Sequence, residues 1–341
     1  MPSEPDDERK VGESTVRNLM LKQAINEALR EEMARDPNVV LLGEDVGPYG
    51  GNFKVTEGLW AEFGEDRVLD TPISENGIAG VGLGLAITGM RPVVEIMFSD
   101  FTANAMDQLV NQIAKIRYMS GGQVKAPLVV RTTIGGGRSS AAQHSQSLHA
   151  WFWHVPGLRV VLPSSPYEAK GLLKTAIRSD DPVMFFEHKM QYNTQGPVPE
   201  EEYLIPFGQA AVVRPGRDVT VIATSFLVQK ALAAAEKLAG EGVEVEVVDP
   251  RTLNPLDLDT LAASVRKTGR AVIADEGHLT CGIGAELVAR LQAACFDYLD
   301  APLERVGTKD VPIPFSPPLE QFVVPGEEAI SAAVRRTLGR E

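Results

Sequence analysis

Short continuous apolar runs recur at residues 39–42, 92–98, 127–133, 158–162 and 182–186. A strand with one wet face alternates apolar and polar side chains. Runs without alternation belong to strands buried on both faces, and such strands need helices packed over them. Residues 74–89, 101–119 and 166–179 supply the helical spacing between the runs. The alternation predicts a mostly parallel sheet covered by helices. Ahead of it, Val16, Met20, Ala24, Ala28 and Leu29 recur at helical spacing as far as Asp36-Pro37, which predicts an opening amphipathic helix. Residues 191–207 lose periodicity and gather Gly, Pro and Glu, the pattern of a linker. Apolar runs then resume at 219–224, 243–248 and 271–274, with helical patterns at 227–238, 256–265 and 284–294. The chain therefore reads as an α/β protein with a tail at 1–13, a first domain at 14–190, the linker at 191–207 and a smaller α/β domain at 208–341. Its 341 residues and 44% apolar content suffice for two cores.

Charge and cysteine content narrow the function. A formal net charge of −13 repels phosphate backbones and anionic lipid, so neither nucleic acid nor a membrane is an expected partner. Cys281 and Cys295 sit in no zinc-binding or disulfide pattern and fit a reducing cytoplasm. The acidic, polar tail resembles no targeting segment. The apolar stretch 77–90 is rich in Gly and is closed by Arg91-Pro92, which leaves it short of a bilayer span.

In an open parallel sheet, functional groups collect where strands end at their carboxyl side. Four such places carry chemistry. Asp70 to Gly77 runs from a strand into a helix that Ser74 can cap, with Glu75 in the first turn; complementing the helix dipole would by itself explain that Glu. LLGEDVG sets Glu44 and Asp45 just past a buried strand, where a solvated loop also accounts for them. Gly135-Gly136-Gly137 leads to His144 in AAQHSQS; three glycines mean backbone freedom or close approach by something bulky. Glu95 lies within an apolar strand, where a buried carboxylate must be paired, hydrogen-bonded or protonated. The Gly80-Val81-Gly82-Leu83-Gly84 run hints at a dinucleotide fingerprint. That fingerprint needs its glycines between strand and helix, whereas these fall inside the helix that Pro72 and Ser74 open.

LLGEDVG, GLWAEFGEDRVLDTPISENGIAGVGLGLA, RPVVEIMF, DQLVNQIAKIRYMSGG, AAQHSQS and PGLRVVLPSSPYEAKGLL occur in this order. Together they resemble the beta subunits of the thiamine-diphosphate-dependent decarboxylating component of pyruvate, acetoin and branched-chain 2-oxo acid dehydrogenase complexes. The resemblance extends from about residue 14 to the C-terminus. It implies a transketolase-like pyrimidine-binding domain followed by a transketolase C-terminal domain. It also implies an alpha subunit that completes an alpha2-beta2 heterotetramer and carries the Gly-Asp-Gly motif for magnesium and diphosphate, a tripeptide absent from this sequence. The implied reaction is oxidative decarboxylation of a 2-oxo acid with acyl transfer to lipoamide on an acyltransferase core.

By the same resemblance, Glu75 hydrogen-bonds a ring nitrogen of the cofactor's aminopyrimidine and passes it a proton, work suited to a poorly hydrated carboxyl. Phe101, Met97 and Ile73 line that ring, His144 serves the substrate end, and Glu44 relays protons between distant sites. Potassium is expected on backbone oxygens near Leu128, Ala176, Ile177, Ser179 and Asp181, although Ser179 replaces the family's usual acidic residue. The small residues around Tyr118-Met119-Ser120-Gly121-Gly122 point to pyruvate or acetoin ahead of a branched-chain acid. Two other classes stay open: a nicotinamide-dependent oxidoreductase, and an interaction subunit without chemistry.

Overall fold

A computed structural model describes residues 16–340. The expected tail at 1–13 lies outside the described residues. The buried apolar runs form the strands of a seven-stranded sheet: β2 (Val39–Gly43), β3 (Val68–Asp70), β4 (Arg91–Ile96), β5 (Val129–Ile134), β6 (Arg159–Val161), β7 (Val183–His188) and β12 (Thr252–Asn254), following β1 (Val16–Met20) in the chain. Their order across the sheet is β12-β6-β7-β5-β4-β2-β3. All pairings are parallel except that of β12 with β6. Every residue of β2, β5 and β7 is buried, as double-sided helix cover requires.

A second sheet orders β14 (Glu304–Thr308), β13 (Ala271–His278), β10 (Val219–Ala223), β11 (Val245–Asp249) and β9 (Ala211–Arg214), with only β9 antiparallel. Within the span 208–341, β12 joins the first sheet as its edge strand. One apolar cluster also runs without a break from Leu42, Val94 and Val130 to Ile222, Val248 and Leu287.

Three local expectations change. Val16–Met20 is not the first turn of the opening helix; it pairs antiparallel with β8 (Gln195–Pro199), and the helix is Leu21–Arg35. The stretch expected as linker at 191–207 therefore contains a strand, tied back to the start of the described chain. Residues 99–119 do not form one α-helix: a 3-10 segment Ser99–Ala105 is followed by a π-helical segment Asp107–Ile113 and a short α-turn Ile116–Met119. The glycine run lies within the helix Glu75–Ile87, where a Cβ on Gly82 would come within 2.4 Å of Val94 Cγ2. Gly82 serves packing of the helix on β4, and no strand-to-helix turn is made from the run.

Candidate active site

Five loops meet at the carboxyl edge of the first sheet. Gly43, Asp70, Glu95 and Arg131 occupy linked register positions on β2, β3, β4 and β5, so the residues following each strand emerge side by side. Glu44 follows β2, the 71–75 turn follows β3, Met97 follows β4, the three glycines follow β5 and Lys189 follows β7. Gly43 permits the closeness, since a Cβ there would lie 2.8 Å from the Glu95 carbonyl oxygen.

Glu75 opens its helix with 6% of its surface exposed. Ser74 is the N-cap, but its hydroxyl makes no capping hydrogen bond, contrary to expectation. Asn104 Nδ2, from the 3-10 segment, donates to Glu75 Oε2 at 2.7 Å. Exposed apolar side chains accompany this helix: Ile73, just before it, is 81% exposed, and Val81 and Ile87 along it are also uncovered. Met97 and Phe101 are half-buried. Glu44 is half-buried as well; burial pushes its carboxyl above the ordinary range, and the charges of Glu75, Asp45 and Glu95 push it further.

His144 stands edge-on to two rings, with centroids 5.0 Å from Phe98 and 5.2 Å from Phe101. Its loop is tied down on both sides. Ser99 Oγ donates to the Gln146 carbonyl at 2.6 Å, and Asp100 Oδ1 accepts from Gln146 Nε2 at 2.9 Å. The Lys189 ammonium donates to the His144 carbonyl. Burial pulls the Lys189 ammonium down to about 8, against the opposing charges of Asp100, Glu276 and Glu320.

Glu95 has the partner its burial demands. Arg131 Nη1 donates to Glu95 Oε2 at 2.7 Å, while Nε and Nη2 grip both oxygens of Glu187 at 2.7 and 2.8 Å. Burial pushes the Glu95 carboxyl up, and Arg131 only partly pulls it back. Tyr192 donates to Glu187 Oε2 at 2.8 Å.

The residues expected around potassium lie elsewhere, at the amino edge of the sheet. Arg91, which begins β4, donates through Nε to the Ile177 carbonyl at 2.8 Å and through Nη2 to the Ser179 carbonyl at 2.7 Å. The Leu128 carbonyl accepts from the Val183 amide and the Ala176 carbonyl from the Ser179 amide. The Asp181 carboxylate pairs with Arg117 and Arg159.

Sequence reasoning had not singled out Asn104, Asp100 or Lys189. They come from distant segments, and their only local signals were a polar residue in an apolar helical pattern and a basic residue at a strand end.

The chain matches the family of the transketolase pyrimidine-binding domain over residues 17–195 and that of the transketolase C-terminal domain over 208–330. It is 48% identical to the beta subunit of acetoin:2,6-dichlorophenolindophenol oxidoreductase of Cupriavidus necator, covering 94% of this chain and 98% of that one. Identity is 46% to the pyruvate dehydrogenase E1 component subunit beta of Rickettsia felis, over 93% and 98% of the two chains. It is also 46% to the 2-oxoisovalerate dehydrogenase subunit beta of Bacillus subtilis, over 92% and 96%. Among solved structures, a split-gene transketolase described as an inactive beta4 tetramer superposes with a TM-score of 0.77 at 25% identity, over 94% of this chain and 98% of that one. The chain therefore belongs to the beta subunits of thiamine-dependent 2-oxo acid dehydrogenase E1 components, with the transketolase-like two-domain fold of that family.

Proposed function

We propose that this chain, assembled with an alpha subunit, supplies the proton-handling half of a thiamine diphosphate site acting on pyruvate or acetoin, with acyl transfer to a lipoyl group on an acyltransferase. The observation that carries the reading is the Glu75 carboxylate, buried at the head of a helix whose outer surface the chain leaves bare. Asn104 fixes one carboxylate oxygen, and the other accepts no hydrogen bond among the described residues. That is the donor set an aminopyrimidine ring nitrogen requires: one oriented carboxyl oxygen in poorly hydrated surroundings. Ile73, Met97 and Phe101 offer apolar atoms for the ring to rest on. When bound, thiamine diphosphate supplies the electron sink that lets a 2-oxo acid lose carbon dioxide.

Glu75 then holds and returns a proton at the ring nitrogen, and an alpha subunit laid over Ile73, Val81 and Ile87 excludes water. His144, set edge-on to Phe98 and Phe101, presents a proton donor to the substrate's carboxylate or carbonyl oxygen. Glu44, coupled in charge to Glu75, is the first station of a proton relay toward the second site of the tetramer. Among the described residues no cluster of His, Cys, Asp and Glu is arranged to hold a metal ion; magnesium on the diphosphate is assigned to the alpha subunit. A potassium ion near Ile177 and Ser179 would have to share their carbonyls with Arg91. No helix among the described residues is long and apolar enough to cross a membrane, and the two unpaired cysteines suit a cytoplasmic location.

The test is co-expression with an alpha subunit and assay of pyruvate, 2-oxoisovalerate and acetoin with an artificial electron acceptor. Pyruvate or acetoin is expected to turn over fastest; a clear preference for 2-oxoisovalerate would move the assignment to the branched-chain type. Glu75→Gln is expected to cost on the order of a hundredfold or more in kcat with assembly intact, and wild-type turnover in that variant would sink the mechanism.

A further inference from the structure

The loop that carries His144 leaves β5 at Ile134 and is gripped at once by carboxylates from the other domain. The Gly136 amide donates to Glu276 Oε1 at 2.6 Å. The Gly137 and Ser139 amides donate to the two oxygens of Glu320 at 2.8 and 3.0 Å. Glu276 lies in β13 and Glu320 in the helix Pro317–Val323, and both are buried. The grip meets a strained backbone. Gly135 and Gly137 have φ of +98° and +94°, and Ser139 and Ala141, which carry side chains, have φ of 53° and 60°. Glycine takes a positive φ freely, but Ser139 and Ala141 persist there only when their surroundings over-determine them. A Cβ on Gly135 would lie 2.0 Å from His188 Nε2, the atom that faces Glu276 Oε2 at 2.6 Å. The bulky neighbour for which Gly135 makes room is thus part of the same clamp.

We propose that Glu320 and Glu276 are positioning residues for His144: two second-domain carboxylates that set the course of the loop and so hold the imidazole against Phe98 and Phe101. The inference rests on the role given to His144 above. Neither carboxylate reaches the reacting atoms; each acts through backbone amides, in charge-assisted hydrogen bonds stronger than neutral ones. Lys189, Ser99 and Asp100 hold the far side of the loop, so the histidine segment is fixed at both ends and by both domains. Catalytic groups gain their rate from such fixed geometry, and a displacement of about 1 Å can cost on the order of a hundredfold.

The experiment uses the complex of this chain with an alpha subunit, in wild type, Glu320→Ala, Glu320→Gln, His144→Ala and the His144→Ala/Glu320→Ala double variant. It reads turnover with an artificial electron acceptor, thiamine diphosphate affinity by calorimetry, and amide hydrogen exchange over residues 135–146. Glu320→Ala is expected to speed exchange in that segment, lower kcat on the order of ten- to a hundredfold, and leave cofactor affinity within about twofold, because Glu75 is untouched. The double variant should be no slower than His144→Ala alone. Glu320→Gln, which keeps one carbonyl acceptor, should fall between Glu320→Ala and wild type, and it replaces Glu320→Ala in every comparison if the latter does not assemble. Unchanged exchange, or losses that multiply in the double variant, would overturn the proposal. Wild-type turnover in His144→Ala would instead overturn the functional reading, and exchange in the Glu320 variants would then decide the positioning claim alone.

Discussion

Arg131 puts a guanidinium in β5 with 2% of its surface exposed. An isolated charge there would be prohibitive. Two carboxylates make it tenable: Glu95, its register partner on β4, and Glu187 on β7. Burial opposes the cation, but Glu187 and Glu95 outweigh it and hold Arg131 well above the ordinary guanidinium value. Replacing such a group removes more than its own attraction, because it leaves partners buried and unpaired. Arg131→Met is therefore expected to lower stability by about 3–5 kcal/mol in denaturant unfolding, since Glu95 and Glu187 would face each other without a cation. Arg131→Lys keeps the charge but cannot make the forked contact to Glu187, and should lose less. Adding Glu95→Gln and Glu187→Gln to Arg131→Met should recover part of the loss; no recovery would mean that the network contributes through shape alone. Sequence leaves a buried Glu95 paired, hydrogen-bonded or protonated, and it cannot name Arg131, because that partner is adjacent across strands and not along the chain.

At the level of elements, the helix Glu75–Ile87 shows why position within a helix matters more than residue type. Gly82 faces β4, and a methyl there would come within 2.4 Å of Val94 Cγ2. Gly84 has nothing within 4 Å of its would-be Cβ. Gly82→Ala should therefore cost about 1–3 kcal/mol through overpacking. Gly84→Ala should gain up to about 1 kcal/mol, the helix propensity difference. Thermal melts of the two variants check the contrast, and equal shifts would show that the helix does not rest on Val94 as described. The same helix was legible in the sequence from Ser74 onward, as were β2, β4, β5, β6, β7, β10, β11 and β13, because strands buried on both faces leave unbroken apolar runs. What escaped lies at edges. β9 is half-exposed and β12, Thr252–Asn254, has a single apolar residue, so neither produces a run. The apolar spacing of Val16–Met20 fits the helix that follows, while its real partner lies some 180 residues away. The 3-10 and π-helical segments after β4 keep an apolar face while departing from the α-helical period, and spacing alone cannot separate them from an α-helix. Glu75, Glu44 and His144 stand out in the sequence because each comes after a strand in the chain; Asn104, Lys189, Glu276 and Glu320 do not, because only the folded topology brings them near the same edge.

Across the whole molecule, two acids in succession on β13 bind the second domain to the first. Asp275 Oδ2 lies 3.0 Å from His149 Nε2, and Glu276 Oε2 lies 2.6 Å from His188 Nε2. Thr224 Oγ1 and the Gly277 amide donate to Asp275 as well, at 2.5 and 2.8 Å. Burial works against both carboxylates, yet the facing histidines, with Thr224 and the Gly277 amide at Asp275 and the Gly136 amide at Glu276, hold each below its ordinary value of 3.8 or 4.5. A carboxyl whose folded value is depressed contributes its full stabilisation above the unfolded value. As pH falls past that point the unfolded chain takes up protons first, and the contribution drains away until the folded value is passed. The contribution of these two acids is therefore expected to be complete above about pH 4.5 and to drain away below it, by up to about 1.4 kcal/mol per pH unit for each acid. Because one core and the β6–β12 pairing cross the seam, weakening there should loosen both domains together. Asp275→Asn should be less stable at pH 7 and show a shallower decline between pH 4.5 and 3 in urea unfolding than the wild type. Curves that stay parallel through that window would mean that Asp275 does not titrate with the seam, and that its contact with His149 contributes nothing to holding the domains together.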